Sequence, residues 1–90
     1  MDFEWDPKKA RLNVRKHAIH FSDALSVLED ENALTVIEES ADGEARWITL
    51  GTDVFGRILV VVYTWRGRTV RMISARRATA RERREYGEGL

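Results

Sequence analysis

The chain has no cysteine among its 90 residues, which excludes a disulfide framework and a thiolate metal centre and fits a reducing compartment. It also lacks a long apolar run. The longest, Ile58 to Tyr63, is far too short to span a membrane, and the acidic start Met1-Asp-Phe-Glu-Trp-Asp6 is unlike a signal peptide. A cytoplasmic location with no membrane partner is therefore expected. There is no Gly-rich phosphate loop, no His-x-x-x-His pair, no internal repeat and no low-complexity tract. The carboxylates Glu29-Asp30-Glu31 read as the solvated end of a helix and not as a Mg²⁺ site. Neither a metal nor a cofactor is expected, and the length suits one domain spanning 1–90.

Net charge is absent too, but its zero total hides a partition. Residues 1–44 hold 11 acids and 5 bases, a net of −6, whereas residues 45–90 hold 10 bases and 4 acids, a net of +6. All ten bases of the second half are arginine, and from Arg66 to Arg84 eight arginines accompany a single acid, Glu82. Arginine forks bind phosphate through paired hydrogen bonds and stack on bases, so the composition favours phosphate recognition over general solubility.

Phe3-Glu4-Trp5 alternates apolar and acidic residues, as a short edge strand would with both rings facing the core. Asp6-Pro7 is a helix-start signal, and the helix is expected over about Lys8 to His17, with Ala10, Val14, His17 and Ala18 on its inner face. Ser22-Asp23 is expected to cap a second short helix ending near Leu28. Ala33 to Ile37 and Arg46 to Thr52 read as antiparallel strands joined by a type I′ turn at Asp42-Gly43. A turn over Gly51 to Gly56, with a possible bulge, leads into Ile58 to Tyr63, a valine-rich run that marks a central strand covered on both faces. Arg66-Gly67 turns the chain into Thr69 to Ala75. The fold class that follows is α+β: a four-stranded antiparallel meander, extended by a short N-terminal strand if one forms, with two N-terminal helices on one face and a C-terminal helix.

That last helix starts at Thr79-Ala80-Arg81-Glu82, which fits a capping box. Its only sizeable apolar groups are Ala80, Tyr86 and Leu90, so it needs docking contacts or a partner, and the Gly87-Glu88-Gly89 tail is expected to fray. Exposed amides at the helix start, beside the arginines, make this strand-to-helix junction a candidate phosphate site. Arg57, Arg66, Arg68, Arg71, Arg77 and Arg81 are the candidates for holding a nucleic-acid backbone.

Phe3-Glu-Trp-Asp6 followed by Lys9, Asn13, Lys16-His17 and Phe21, then Gly56-Arg57-Ile-Leu-Val-Val, then Arg71-Met-Ile-Ser-Ala-Arg76 with Glu82-Arg83 and Tyr86, resembles the BrnT family of bacterial toxins. The resemblance covers almost the whole chain. It implies a RelE-like fold, endoribonuclease activity that inhibits translation, and a BrnA-like antitoxin. It further implies a complex of two toxins with two antitoxins that meets operator DNA only through the antitoxin's ribbon-helix-helix fold.

Cleaving RNA through its 2′-hydroxyl needs a base, an acid for the leaving oxygen, and positive charge on the pentacoordinate phosphate. Arg76 matches the family's Ser-Ala-Arg motif and is the candidate transition-state ligand. His17, Glu82 and Tyr86 are the candidates for proton transfer. Each has a structural reading beside it: helix-end packing for His17, the capping box for Glu82, an anchor for Tyr86. His20 reads as structural. A non-catalytic nucleic-acid-binding or protein-interaction module using the same arginines is the competing function.

Overall fold

A computed structural model describes residues 1–39 and 41–88. Five strands, β1 (Asp2–Glu4), β2 (Leu34–Glu39), β3 (Ala45–Thr52), β4 (Ile58–Arg66) and β5 (Thr69–Arg77), form one sheet in the order β1-β5-β4-β3-β2. The valine-rich β4 is central, as its unbroken apolar run requires. The N-terminal strand does form, and it pairs parallel with β5, so the sheet is mixed and not a pure antiparallel meander.

Helix α1 (Pro7–His17) starts as its sequence dictates: Asp6 Oδ1 accepts from Lys8 N at 2.8 Å, and Pro7 takes the first helical turn. It ends at Ala18 in the left-handed region, φ 58°, with Ala18 N donating to Val14 O. The expected inner face is corrected at its C-terminal end. Ala10 and Val14 turn inward and Asn13 is the buried residue, whereas His17 and Ala18 are exposed. The second helix, α2 (Phe21–Ala24), continues as a 3₁₀ helix over Leu25–Glu29; its N-cap is His20, and Ser22-Asp23 lie inside its first turn instead of capping it. Phe21 and Ile19 are worth more buried than a cap at Ser22 would be, and they set where the turn begins.

One core lies between the helices and the sheet, built from Ile19, Phe21, Ala24 and Val27 against Leu59, Val61, Tyr63, Val70, Met72 and Ala75. Gly51 permits the close approach there, since a Cβ would stand 3.0 Å from both Val27 Cγ1 and Asp30 Oδ2. Trp5 packs on this core, but Phe3 is half exposed and stacks on Trp5 at 5.9 Å, because β1 is an edge that the helices do not cover. Helix α3 (Ala80–Glu88) docks on the other face through Tyr86, with Ala78 just before it, against Leu50 and Val60. It continues through Gly87 to Glu88, beyond the fraying point the glycines suggested; Gly89 lies outside the described residues.

Two turns differ from expectation. Glu39 pairs with Ala45, so five residues separate β2 from β3, and of Asp42 and Gly43 only Gly43 has positive φ, 82°, which rules out a type I′ turn. The irregularity expected near Gly51 to Gly56 lies elsewhere: β4 steps from Val62 to Tyr63 while β5 steps from Ser74 to Met72, leaving Ile73 as a bulge. This extra residue reverses the alternation of β5. Met72 and Ala75 therefore both reach the helix-side core, and Arg71, Ser74 and Arg76 all stand opposite Thr64, Val62 and Val60 on the far face.

Candidate active site

The bulge organises the basic side chains of the far face. Arg71 and Thr64 wall a polar cavity of about 130 Å³ whose other sides come from Lys9, Arg46, Arg66, Ile73 and the hairpin carboxylates Asp42 and Glu44. Lys9 and Ile73 also wall a neighbouring cavity of about 190 Å³ that continues to Lys16, His17 and Ser74. Side by side they line the gap between α1 and β5, a groove edged by ammonium, guanidinium and carboxylate groups in one cavity and by an ammonium and an imidazole in the other. The Thr64 hydroxyl oxygen is buried and has no hydrogen-bond partner among the described residues. It is an unspent polar group behind the wall of a cavity that carries both cations and carboxylates.

Asn13 holds α1 in place beside this groove. Past residue 71, β5 has no partner strand on its outer side, and the Asn13 amide supplies one: Nδ2 donates to Ala75 O at 2.8 Å and to Ile19 O at 2.9 Å, while Oδ1 accepts from Ala75 N at 3.0 Å. A buried strand edge is thereby satisfied by one side chain. Lys9, Lys16 and His17, on the flank of α1 next to Asn13, are delivered to Ile73 and Ser74 by that clamp.

Arg76 follows Ser74 on the same face, about 7 Å further along the strand. Its guanidinium is gripped by Glu82, Nη1 to Oε1 at 2.8 Å and Nη2 to Oε2 at 2.9 Å. Glu82 also closes the expected capping box, accepting from Thr79 N at 2.8 Å while Glu82 N donates to Thr79 Oγ1 at 3.2 Å. The hydrogen bonds from Arg76, and then those from Thr79, outweigh partial burial and hold the Glu82 carboxyl down at about 2. The same pairing pushes Arg76 upward. Glu82 is thus ionised at neutral pH.

Tyr86 lies on the α3 side with its ring buried against Leu50 and Val60. Its hydroxyl donates to Asp30 Oδ2 at 2.6 Å and accepts from Thr52 Oγ1 at 3.0 Å. The bond to Asp30 pushes the phenol upward. Burial alone would raise Asp30, but the hydrogen bonds from Tyr86, Thr52 N and Asn32 N hold it below the usual carboxylate range. Asp30 is therefore a buttress for α3, not the solvated helix-end acid its neighbours suggested.

The remaining arginines divide by position. Arg66 walls the groove, and Arg68 is exposed in the turn between β4 and β5. Arg77 is exposed and opposes Leu59, and Arg81 is exposed on α3 with Glu85 at 3.4 Å. Arg57 sits at the opposite end of β4 from Arg66, paired with Asp53 Oδ2 through Nε at 2.8 Å and Nη2 at 2.7 Å. Burial would raise Asp53, yet these bonds and the Phe55 and Arg57 amides keep it low. So the structure brings His17, Arg66 and Arg71 into the groove and places Arg76 at its continuation. Arg57, Glu82 and Tyr86 are engaged in contacts within the fold, and so are Arg71, ion-paired with Glu4 at 3.5 Å, and Arg76, held by Glu82. Lys9, Lys16, Arg46 and Thr64 escaped selection as site residues from the sequence. Lys9 and Lys16, four and three residues from Asn13 on α1, were the two with a periodic signal that could have found them.

Among the described residues no three His, Asp or Glu side chains converge to hold a metal ion, and no described helix is long and apolar enough to cross a membrane. A small α+β domain with lysine, arginine and histidine side chains gathered beside one sheet has the composition of a compact nucleic-acid-acting protein. The family is specific: the profile described as "Ribonuclease toxin, BrnT, of type II toxin-antitoxin system" matches residues 5–82, and the chain belongs to that family. The 1.1 Å crystal structure of the Brucella abortus ribonuclease toxin BrnT is similar at 27% sequence identity, with a TM-score of 0.69 over 88% of this chain and 97% of that one. No curated relative matches the chain.

Proposed function

We propose that this ribonuclease toxin cuts RNA endonucleolytically and without a metal ion in the groove between α1 and β5, stopping translation in the cytoplasm until a protein antitoxin covers it. The observation that carries the reading is a pair of neighbouring cavities that share Lys9 and Ile73, one lined by Lys9, Arg46, Arg66 and Arg71 together with Asp42 and Glu44, the other by Lys9, Lys16 and His17. The RNA backbone lies along β5, its phosphates held by the arginines.

In this mechanism His17 takes the proton of the 2′-hydroxyl, whose oxygen attacks the adjacent phosphorus. The P–O5′ bond breaks, and the leaving oxygen receives a proton from the Lys9 ammonium. The products are a 2′,3′-cyclic phosphate and a 5′-hydroxyl end. Arg76 offers the phosphorane its N–H groups that Glu82 leaves open, while Glu82 and Tyr86 act as positioning residues for that guanidinium and for α3. The antitoxin is of the BrnA-like ribbon-helix-helix type, pairs two-to-two with the toxin, and carries the complex to operator DNA.

The test is to incubate purified protein with RNA in excess EDTA and identify the product ends. Cleavage should persist and yield cyclic phosphate and 5′-hydroxyl termini. Loss of cleavage under EDTA, or 3′-hydroxyl ends, would reject the mechanism.

A further inference from the structure

On the other flank of α1 lies a second groove, between that helix, the end of β1 and α2, with a volume of about 470 Å³ and mostly apolar walls. Its floor is Trp5, Val14 and Phe21, and its rim is Arg11, Arg15 and His20. Trp5 meets Phe21 edge-on at 5.9 Å and stacks on the half-exposed Phe3, so an aromatic surface runs out of the groove toward the sheet edge. Nothing in the RNA site uses these residues, because α1 stands between the two grooves. Exposed apolar concavities rimmed by polar groups mark binding surfaces.

The rim selects the occupant. Residues 1–44 carry a net charge of −6, yet the charged groups on this rim are all basic. Arg11 and Arg15 stand one helical turn apart, both exposed, with no ion-pair partner among the described residues. A second copy docking here about a two-fold axis would bring these like charges face to face. An RNA strand would find two guanidinium groups over an apolar floor, without the row of phosphate partners that the other groove provides. An amphipathic helix with apolar residues at successive turns and acidic flanks satisfies both floor and rim.

We propose that this groove is where the antitoxin anchors, through an amphipathic helix with an apolar ridge and flanking Asp or Glu residues. The inference rests on the toxin reading above. The partner's carboxylates pair with Arg11 and Arg15, and its apolar side chains fill the space over Trp5, Val14 and Phe21.

The experiment titrates the full-length toxin with its cognate antitoxin, comparing wild type, the double reversal Arg11→Glu/Arg15→Glu and the groove variant Val14→Gln. The double reversal changes only exposed side chains, so it keeps the test decisive if Val14→Gln folds poorly. Its expected result is antitoxin affinity at least about 100-fold weaker, with RNA cleavage at the wild-type rate. Wild-type and double-reversal affinities within about threefold would overturn the groove assignment while leaving the toxin reading intact. A wild-type protein that neither cleaves RNA nor binds the antitoxin would overturn both. The assignment also falls if sedimentation shows a wild-type dimer that the double reversal dissociates with antitoxin affinity unchanged, or if the double reversal loses RNA affinity and keeps the antitoxin.

Discussion

Arg76 and Glu82 meet in a two-pronged ion pair, 2.8 and 2.9 Å, that crosses from the last turn of a strand to the first turn of a helix. One carboxylate thereby fixes a guanidinium and caps α3 at the Thr79 amide. The charge that the Ser-Ala-Arg motif presents on the sheet is oriented and partly balanced before any substrate arrives.

The pair makes stability depend on acid. Glu82 drops from 4.5 to about 2 on folding, so its contribution is fully present above about pH 4.5 and is lost as the pH falls toward 2. Allowing for solvent screening, the loss is on the order of 1–2 kcal/mol. Urea midpoints measured across this range should fall less steeply for Glu82→Gln than for wild type. Parallel curves would show that the pair contributes nothing to folding.

Arg76→Ala should lower kcat by about 10²-fold with a smaller change in KM, because in the proposed mechanism the guanidinium serves the developing phosphorane more than the ground state. Arg76→Lys should recover little, since an ammonium cannot reproduce the fork on Glu82. Wild-type turnover by Arg76→Ala at saturating RNA removes Arg76 from the chemistry.

In the groove, Arg66→Ala and Arg71→Ala should each weaken RNA binding and flatten its dependence on log salt by about 0.7, the increment for one phosphate contact on a single strand. His17→Ala should bind RNA normally and lose about 10²-fold or more in rate. Unchanged salt slopes for both arginine variants would move the RNA elsewhere on the surface.

Asn13→Ala should destabilise the protein by about 2–4 kcal/mol, because it strands the Ala75 amide and two carbonyls inside the fold. Hydrogen exchange at Ala75 should accelerate in parallel. A change in unfolding free energy below about 0.5 kcal/mol would mean that water or a strand shift replaces the clamp.

Tyr86→Phe keeps the ring against Leu50 and Val60 but removes the donor to Asp30, at a cost of about 1–2 kcal/mol. Cleavage per folded molecule should stay within about twofold. A loss of tenfold or more would place the phenol at the reacting phosphate.

What the sequence determined by itself were the features governed by near neighbours. The Asp6-Pro7 helix start, the Thr79/Glu82 capping box and the valine-rich central strand each depend on groups within a few residues, so their chemistry is written locally. The arginine excess of the second half was equally visible, and it pointed to a phosphate-binding function. Only the tertiary structure decided which arginines share a surface. The bulge at Ile73 rotates Arg76, not Arg77, onto the face of Arg71, and one inserted residue in a strand leaves no trace in the apolar pattern. Asn13 reaches Ala75 across 62 positions and Tyr86 reaches Asp30 across 56, so neither bond has a spacing that a linear reading could detect. The groove of Lys9, Arg46 and Thr64 joins α1, β3 and β4, three elements that become neighbours only when the hydrophobic core closes.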